Sequence, residues 1–472
     1  VQTNSLKSNA MPFVQAFYTR CLSQASYYIE DNGQAAVIDP LIDVGPYLAL
    51  ARERGAVICW VLETHFHADF ISGHLELSRA ANCPIVFGPD AQPHFPALVA
   101  EHNELLHLGQ MRIRVLHTPG HTLESSCFLL EDRHHKPLAL FTGDTLFNGD
   151  VGRPDLLSGN LNKVELATRL FHSLHSVLWP LPDHLVVYPG HGAGSACGKR
   201  IGDGLETTLG EQKRTNYALK AGSLDAFVEQ VTSDLPIPPA YFFEDARLNR
   251  EGYPPLEKVL ESALQALDPH SFVSLKQSPE VVVIDSRDAE EFGICHVPGS
   301  VNIGLNGDFA VWAATLFPID QRLLLVCEPG TEREASVRLA RVGFHNLLGH
   351  LEGGLRAWQY ANMPTERIDS MDGLDVAYFQ QTGEAVLVDV RKDSEVRGNG
   401  LKRSFHIPLA DLPHRLIDFD PVKTYLLCCV GGYRSMIAAS LLRRSGVIHV
   451  MDVRGGVNQL KDDYPEALAS NF

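Results

Sequence analysis

The sequence has little of what membranes, nucleic acids or secreted disulfide scaffolds require. No apolar run approaches the ~18 residues of a membrane-spanning helix. No signal-peptide pattern opens the chain, and a cytoplasmic location is expected. Basic residues number 40 against 57 acidic ones, a formal charge of −17. Such a surface repels phosphate backbones and anionic lipid, which excludes nucleic acid and membrane as partners. The nine cysteines are odd in number and scattered over 472 residues. That is unlike the dense framework of a small secreted domain and fits thiols kept reduced. What is present is ordinary globular composition, 45% apolar and 21% charged, at a length of two to four domains of ~100–200 residues each. The 21 histidines are the unusual number.

Residues 1–10 are polar, without hydrophobic period, and end in a Ser-Asn-Ala-Met junction typical of a cloning scar. They are set aside as disordered. From Met11 to Pro254, short apolar runs end in loops that carry His or Asp. Ala35–Ile38 leads to Asp39-Pro40, Cys59–Leu62 to Glu63-Thr64-His65, Leu138–Phe141 to Thr142-Gly143-Asp144, and Leu185–Tyr188 to Pro189-Gly190-His191. Helical stretches Val44–Arg54 and Gly73–Ala81 lie between some of these strands. The pattern is α/β layering with polar residues gathered at strand ends, where sites form.

The rest of the chain repeats itself. Val281–Arg287 recurs as Val386–Arg391, Leu323–Cys327 as Tyr425–Cys429, and Glu352-Gly353-Gly354 as Arg454-Gly455-Gly456, each 102 to 104 positions on. Continuous apolar strands within each copy predict a mostly parallel sheet covered by helices. The expected domains are 11–254, 255–363 and 364–472, with Tyr360–Asp369 as the linker between copies.

Three segments of the first domain belong together: Thr64-His65-Phe66-His67-Ala68-Asp69-Phe70, Thr118-Pro119-Gly120-His121-Thr122 and Thr142-Gly143-Asp144, with His191 following in Pro189-Gly190-His191-Gly192. One histidine beside an apolar run is usually structural; several, each at a strand-to-loop transition among glycines that permit close approach, indicate a metal site. The order resembles the metallo-β-lactamase superfamily, with one departure. Phe70 stands where the two-metal hydrolases of that superfamily carry a histidine, and an apolar ring cannot coordinate. The remaining set, assigned as His65, His121 and Asp144, is two histidines and one carboxylate, a ligand type suited to one non-haem Fe(II) and oxygen activation. Phe141–Phe147, Asp150–Leu156 and His-Ala-Asp-Phe resemble the persulfide dioxygenase branch, specifically proteins fused to rhodanese domains. That resemblance implies near-site roles for His67, Asp69 and His191, with Arg153 and Asp155 bracing the pocket or forming a buried ion pair. The small loop after His191 contains Gly194, Ser195 and Lys199. It is a tight turn by composition and, by position, a candidate substrate loop offering Lys199 to an anionic carrier. Cys197 within it is a candidate reactive thiol.

The second repeat carries Cys429-Val430-Gly431-Gly432-Tyr433-Arg434-Ser435 after the strand Thr424–Cys428, and a helix predicted over Met436–Arg444 follows. A six-residue loop closed by a helix start aims backbone N–H groups at the sulfur, and with Arg434 favours a thiolate or a bound persulfide. The spacing resembles the rhodanese active loop, as Asp389-x-Arg391 and Gly455-Gly456 resemble the rest of that fold. In the first repeat Cys327 is followed by a loop one residue longer, with Pro329 removing a donor and three glutamates adding negative charge. This copy reads as degenerate.

Together the resemblances imply an αββα metallo-β-lactamase sandwich followed by two rhodanese-like α/β domains with mostly parallel sheets. They imply Fe(II)-dependent oxidation, with O2 as co-substrate, of a low-molecular-weight thiol persulfide (of glutathione, coenzyme A or another carrier) to sulfite and free thiol. Sulfur transfer among thiosulfate, persulfide and sulfite would run through Cys429, in either direction, and the first domain would self-pair. Two alternatives stay open: a mononuclear thioester hydrolase resembling glyoxalase II with a rhodanese appendage, and a sulfur-relay or redox scaffold.

Overall fold

A computed structural model describes residues 12–156, 161–235 and 237–468. The segment 1–10, expected to be a cloning scar, lies outside the described residues. The chain divides into two compact units, one running to Leu256 and taking in Arg341–Gly343, the other made of Glu257–Ala340 and Phe344–Phe472.

In the first unit, short β-branched and aromatic runs bounded by turn residues form two six-stranded sheets. The first holds β1 (Phe13–Thr19), β2 (Gln24–Asp31), β3 (Gln34–Ile38), β4 (Val57–Leu62), β5 (Ile85–Phe87) and β6 (Leu98–Val99) in chain order. Pairing is antiparallel up to β3 and parallel from β3 onward. The second holds β7 (Leu105–Leu108), β8 (Met111–His117), β9 (Ser126–Glu131), β10 (Pro137–Gly143), β11 (Val186–Pro189) and β12 (Thr207–Thr208), again in chain order across the sheet. There only β10 and β11 pair in parallel.

Side-chain alternation along β2 shows how the layers form. Tyr27 and Ile29 enter the core between the sheets, against Ile113, Val115, Phe128 and Phe141. Tyr28 points the other way, to a layer shared with Tyr47, Val61 and Leu77. Helices Gly45–Arg54 and His74–Ala81 cover that outer face, and Lys163–His172 and Leu224–Thr232 cover the outer face of the second sheet. The unit is an αββα sandwich, as expected. The helices predicted from Val44 and Gly73 start one residue later, with those residues as N-caps.

The second unit contains two five-stranded sheets of the same topology. β13 (Ala266–Leu267), β14 (Val281–Asp285), β15 (Val301–Asn302), β16 (Arg322–Val326) and β17 (Leu347–Leu351) are ordered 13-17-16-14-15. β18 (Ser370–Met371), β19 (Ala385–Asp389), β20 (Ser404–His406), β21 (Thr424–Cys428) and β22 (Val450–Val453) are ordered 18-22-21-19-20. All pairings among them are parallel. The segment expected to link the copies is partly structured. The helix Gly354–Tyr360 runs through Tyr360, and Glu366 bridges to His296. No helix among the described residues is long and apolar enough to cross a membrane.

Asp452 in β22 is buried, and burial lifts its carboxyl from 3.8 to about 7, partly offset by hydrogen bonds from Ser435 and Ser370. A raised folded-state pKa means the neutral form is favoured on folding. Its stabilisation is full below about pH 4 and is lost as pH rises through about 7. Asp452→Asn, which keeps the site neutral, should therefore raise the unfolding free energy above that of the native chain at pH 8 by roughly 1–3 kcal/mol, with no difference at pH 4. Denaturation at the two pH values checks this; a gap that does not change with pH refutes it.

Candidate metal centre and sulfur-transfer loop

The polar loops open at strand C-termini. β8 and β10 are each antiparallel to β9, and β11 is parallel to β10, so the ends of these three strands share one edge. His65 follows β4, His121 follows β8, Asp144 follows β10 and His191 follows β11, and all four are buried. Glycine permits the crowding. A Cβ on Gly152 would lie 2.0 Å from the Asp144 carbonyl oxygen and 2.9 Å from His121 Nδ1, too close for any side chain.

Hydrogen bonds orient the imidazoles. His121 Nδ1–H donates to the Arg153 carbonyl at 2.9 Å. His65 Nδ1–H donates to Thr64 Oγ1 at 2.9 Å, and that hydroxyl donates to Asp39 Oδ2 at 2.8 Å. With Nδ1 occupied, each ring presents the Nε2 lone pair. The two Nε2 atoms lie 3.8 Å (His65) and 3.4 Å (His121) from Asp144 Oδ2, which is buried and without a hydrogen-bond partner. Donors bound to one ion at ~2.0–2.2 Å stand ~3–3.5 Å apart, so these three residues suit a single metal ion. Burial, reinforced by His67, pushes the His65 pKa down and keeps the ring neutral. Burial alone would raise Asp144, but the charge and hydrogen bond of His191, then His65 and His121, hold its carboxyl well below the usual range.

His191 lies between two carboxylates, with Nδ1 2.7 Å from Asp144 Oδ1 and Nε2 2.8 Å from Asp69 Oδ2. Burial opposes its charged form, yet Asp144 and Asp69 outweigh burial and raise its pKa well above the ordinary value. Both ring nitrogens are occupied. His67 faces away from the trio, its Nε2 3.1 Å from Asp39 Oδ1 and 3.7 Å from Glu63 Oε2, and its ring packs on Phe70 at 4.3 Å. Arg153 is buried in a bidentate pair with Asp155, at 2.7 and 2.8 Å, while its N–H donates to the Cys197 carbonyl. In the candidate substrate loop, Gly194 takes a φ of +99°. Ser195 Oγ accepts from the Cys197 N–H, and Lys199 Nζ donates to the Gln230 carbonyl and to Ser233 Oγ. The expectation of a reactive Cys197 is not met. The thiol is buried, and burial with Asp69 and Asp144 nearby raises its pKa well above the ordinary value.

The sequence reading missed the helix Tyr241–Glu251. Asn249 Nδ2 donates to the His67 and Phe70 carbonyls at 2.8 and 2.7 Å, and its Oδ1 accepts from the Ser72 N–H at 2.9 Å. It thereby clamps the loop that carries His65. Some 180 residues separate the partners, so no local pattern could have shown the link. Asp245, one turn earlier, is fully buried with both carboxylate oxygens unpartnered, and burial followed by Asp69 pushes its carboxyl up.

In the second unit Cys429 closes β21 and is buried. Its Sγ accepts from the Gly432 N–H at 3.2 Å and lies 3.4 Å from Ser435 Oγ. The helix begins at Tyr433, three residues before the expected Met436, which places Arg434 in its first turn. Arg434, expected to serve the sulfur, interacts by charge with Cys429 and pairs with Glu395. Its guanidinium is held in two hydrogen bonds, at 2.7 and 2.8 Å, by Glu395, whose carboxyl those bonds pull down to about 2. Val430 is half-buried and Gly431 exposed at the loop's tip. Tyr433 Oη donates to the Gly304 carbonyl of the other copy at 2.8 Å. The matching Cys327 is buried, and burial, with Asp285, Glu332 and Glu328 nearby, pushes its thiol up to about 12.

The metallo-beta-lactamase superfamily model matches residues 19–191, and the rhodanese-like domain model matches residues 268–361 and 375–463. The crystal structure of a metallo-beta-lactamase from Staphylococcus aureus subsp. aureus COL superposes with a TM-score of 0.64 at 31% identity, covering 73% of this chain and 99% of that one. This chain belongs to the metallo-beta-lactamase superfamily. Within the superfamily it carries two rhodanese-like domains after the sandwich. Curated relatives include hydroxyacylglutathione hydrolases, a persulfide dioxygenase and beta-lactamase hydrolase-like proteins. A hydroxyacylglutathione hydrolase of Rhodopseudomonas palustris is 31% identical over 183 residues, 36% of this chain and 64% of that protein. The mitochondrial persulfide dioxygenase ETHE1 of Homo sapiens is 30% identical over 167 residues, 34% of this chain and 60% of that protein. The chain therefore spans less than two thirds of the length of these relatives.

Removing the Asn249 clamp leaves three buried backbone groups of the His65 loop unpaired, at ~1–3 kcal/mol each. Asn249→Ala should lower Tm by several degrees and weaken metal retention about tenfold, read by thermal unfolding and by metal analysis against a chelator series. Wild-type retention in this variant would count against the clamp.

Proposed function

We propose that this metallo-beta-lactamase superfamily protein oxidises a low-molecular-weight thiol persulfide to sulfite and free thiol, using O2 and one Fe(II). A rhodanese step at Cys429 moves sulfane sulfur. The observation that carries the reading is the composition of the centre. Two imidazoles and one carboxylate converge, Phe70 replaces a second-metal ligand, and His191 is fully engaged by Asp144 and Asp69. His65, His121 and Asp144 would hold the iron, which when bound supplies activation of oxygen and of the persulfide sulfur.

The remaining work falls to the chain. The Arg153 carbonyl and Thr64 hydroxyl fix the two imidazoles in the ligating tautomer. The His191 N–H holds Asp144 Oδ1, leaving Oδ2 to face the ion. Burial of the whole set excludes bulk water and limits side reactions. The balanced reaction is R–S–SH + O2 + H2O giving R–SH + SO3²⁻ + 2 H⁺. At Cys429 the thiolate attacks the outer sulfur of thiosulfate. A Cys–S–S⁻ persulfide forms, the S–S bond of thiosulfate breaks and sulfite leaves; a carrier thiolate then takes the sulfur and regenerates the cysteine. The reverse sequence converts persulfide and sulfite into thiosulfate, so each site makes what the other consumes. The hydroxyacylglutathione hydrolase relatives favour a second reading, thioester hydrolysis by one metal-activated water.

Metal analysis of anaerobically purified protein, joined to oxygen uptake on adding a small persulfide, separates the two. Iron near one per chain with oxygen consumption supports the proposal. Zinc, thioesterase activity and no oxygen uptake overturn it. Asp144→Ala should lose iron; stoichiometric iron in that variant refutes the trio. Cys429→Ser should reduce thiosulfate-to-thiol transfer by roughly a thousandfold, whereas Cys327→Ser should not. The opposite ranking would exchange the roles of the two copies.

A further inference from the structure

A cavity of about 530 Å³ in the first unit is lined by Lys199, Arg200, Tyr217 and Lys220, with Asp234 as its one acidic residue. On a chain of net charge −17 this is a local reversal of sign. The described structure pairs none of the three cations with a carboxylate: Lys199 Nζ is held by two neutral oxygens, of Gln230 and Ser233. The wall is preorganised by one buried carboxylate. Asp150 Oδ2 accepts the backbone N–H groups of Lys199 and Arg200 at 2.7 and 2.5 Å, and Oδ1 accepts the Tyr217 hydroxyl at 2.9 Å and the Val151 N–H at 2.8 Å. Its carbonyl accepts from Asn216 Nδ2. The same short segment reaches the metal centre, because Gly152 packs on the Asp144 carbonyl and the His121 ring. Asp150, which braces the cavity wall, is two residues from Gly152, a chain span of at most ~7 Å.

We propose that this cavity binds the phosphorylated end of the thiol carrier. Two ammonium groups and a guanidinium around one space match a phosphate-bearing group better than the separated single carboxylates of a short peptide. The volume falls in the range that encloses a nucleotide-sized group. Tyr217, packed on the core and fixed through its hydroxyl, stiffens the cavity wall. The assignment rests on the persulfide reading for the identity of the substrate, but its test does not depend on turnover.

Calorimetry on the full chain, with coenzyme A, adenosine 3′,5′-bisphosphate, glutathione and inorganic phosphate as probes, tests the site. Coenzyme A and the bisphosphate should bind, more weakly as salt rises. The exposed pair Arg200→Ser with Lys220→Ser should weaken both about tenfold or more. Asp234→Asn, at a positive φ that asparagine tolerates, should tighten them. Coenzyme A binding that is unchanged in the double variant overturns the proposal. So does inorganic phosphate competing as strongly as coenzyme A, which reveals a plain anion patch, and so does glutathione binding with the same sensitivity to the double variant. Failure of oxygen uptake alongside intact, variant-sensitive binding refutes the dioxygenase reading and leaves the carrier site standing.

Discussion

A buried carboxylate must be neutralised or it destabilises the fold by several kcal/mol, and the first unit is arranged around that requirement at Asp144. One oxygen is satisfied by His191; the other faces two imidazole nitrogens and has no protein donor. Four strand ends, a glycine pressed against the ligands and the Asn249 clamp all keep the group in place. Under the proposed function a cation at Oδ2 would complete the charge balance. At the same edge Phe70 packs on the His67 ring, and His191 bridges Asp144 and Asp69.

The second unit shows how one fold carries two outcomes. Both copies bury an Asp–Arg pair in the same bidentate form, Asp285–Arg287 and Asp389–Arg391. Both use a glycine at positive φ, Gly354 and Gly456, whose Cβ would collide with the carbonyl of Cys327 or Cys429. These shared devices hold the loop after the cysteine against the following helix. The two copies differ in the loop after the cysteine. Gly432 turns its N–H to the Cys429 sulfur, whereas glutamates and burial keep Cys327 a neutral thiol. The Tyr433–Gly304 hydrogen bond ties the Cys429 loop to the first copy.

Much of this was legible in the residues. Strand runs ending in His or Asp announced α/β layering with a polar edge, because a β-strand writes its burial as a period and its end as a turn, and the resemblance implied the sandwich. The repeat announced two equal sheets. His65, His121 and Asp144, the set that the resemblance implied, lie together. The pairing of Arg434 with Glu395 could not be read from the residues, because Glu395 sits 39 residues earlier in a stretch with no pattern of its own.

The sequence by itself determined the layered classes, the repeat and the short motifs, since each is a local rule of periodicity or turn chemistry. Only the tertiary structure decided that His67 turns away from the trio to Asp39 and Glu63, that His191 is occupied on both nitrogens, that Asn249 holds the ligand loop and that Lys199, Arg200 and Lys220 surround one cavity. Each of these depends on which distant backbone segments pack together, and hydrogen bonds between buried groups form wherever packing places a donor against an acceptor, without regard to separation along the chain.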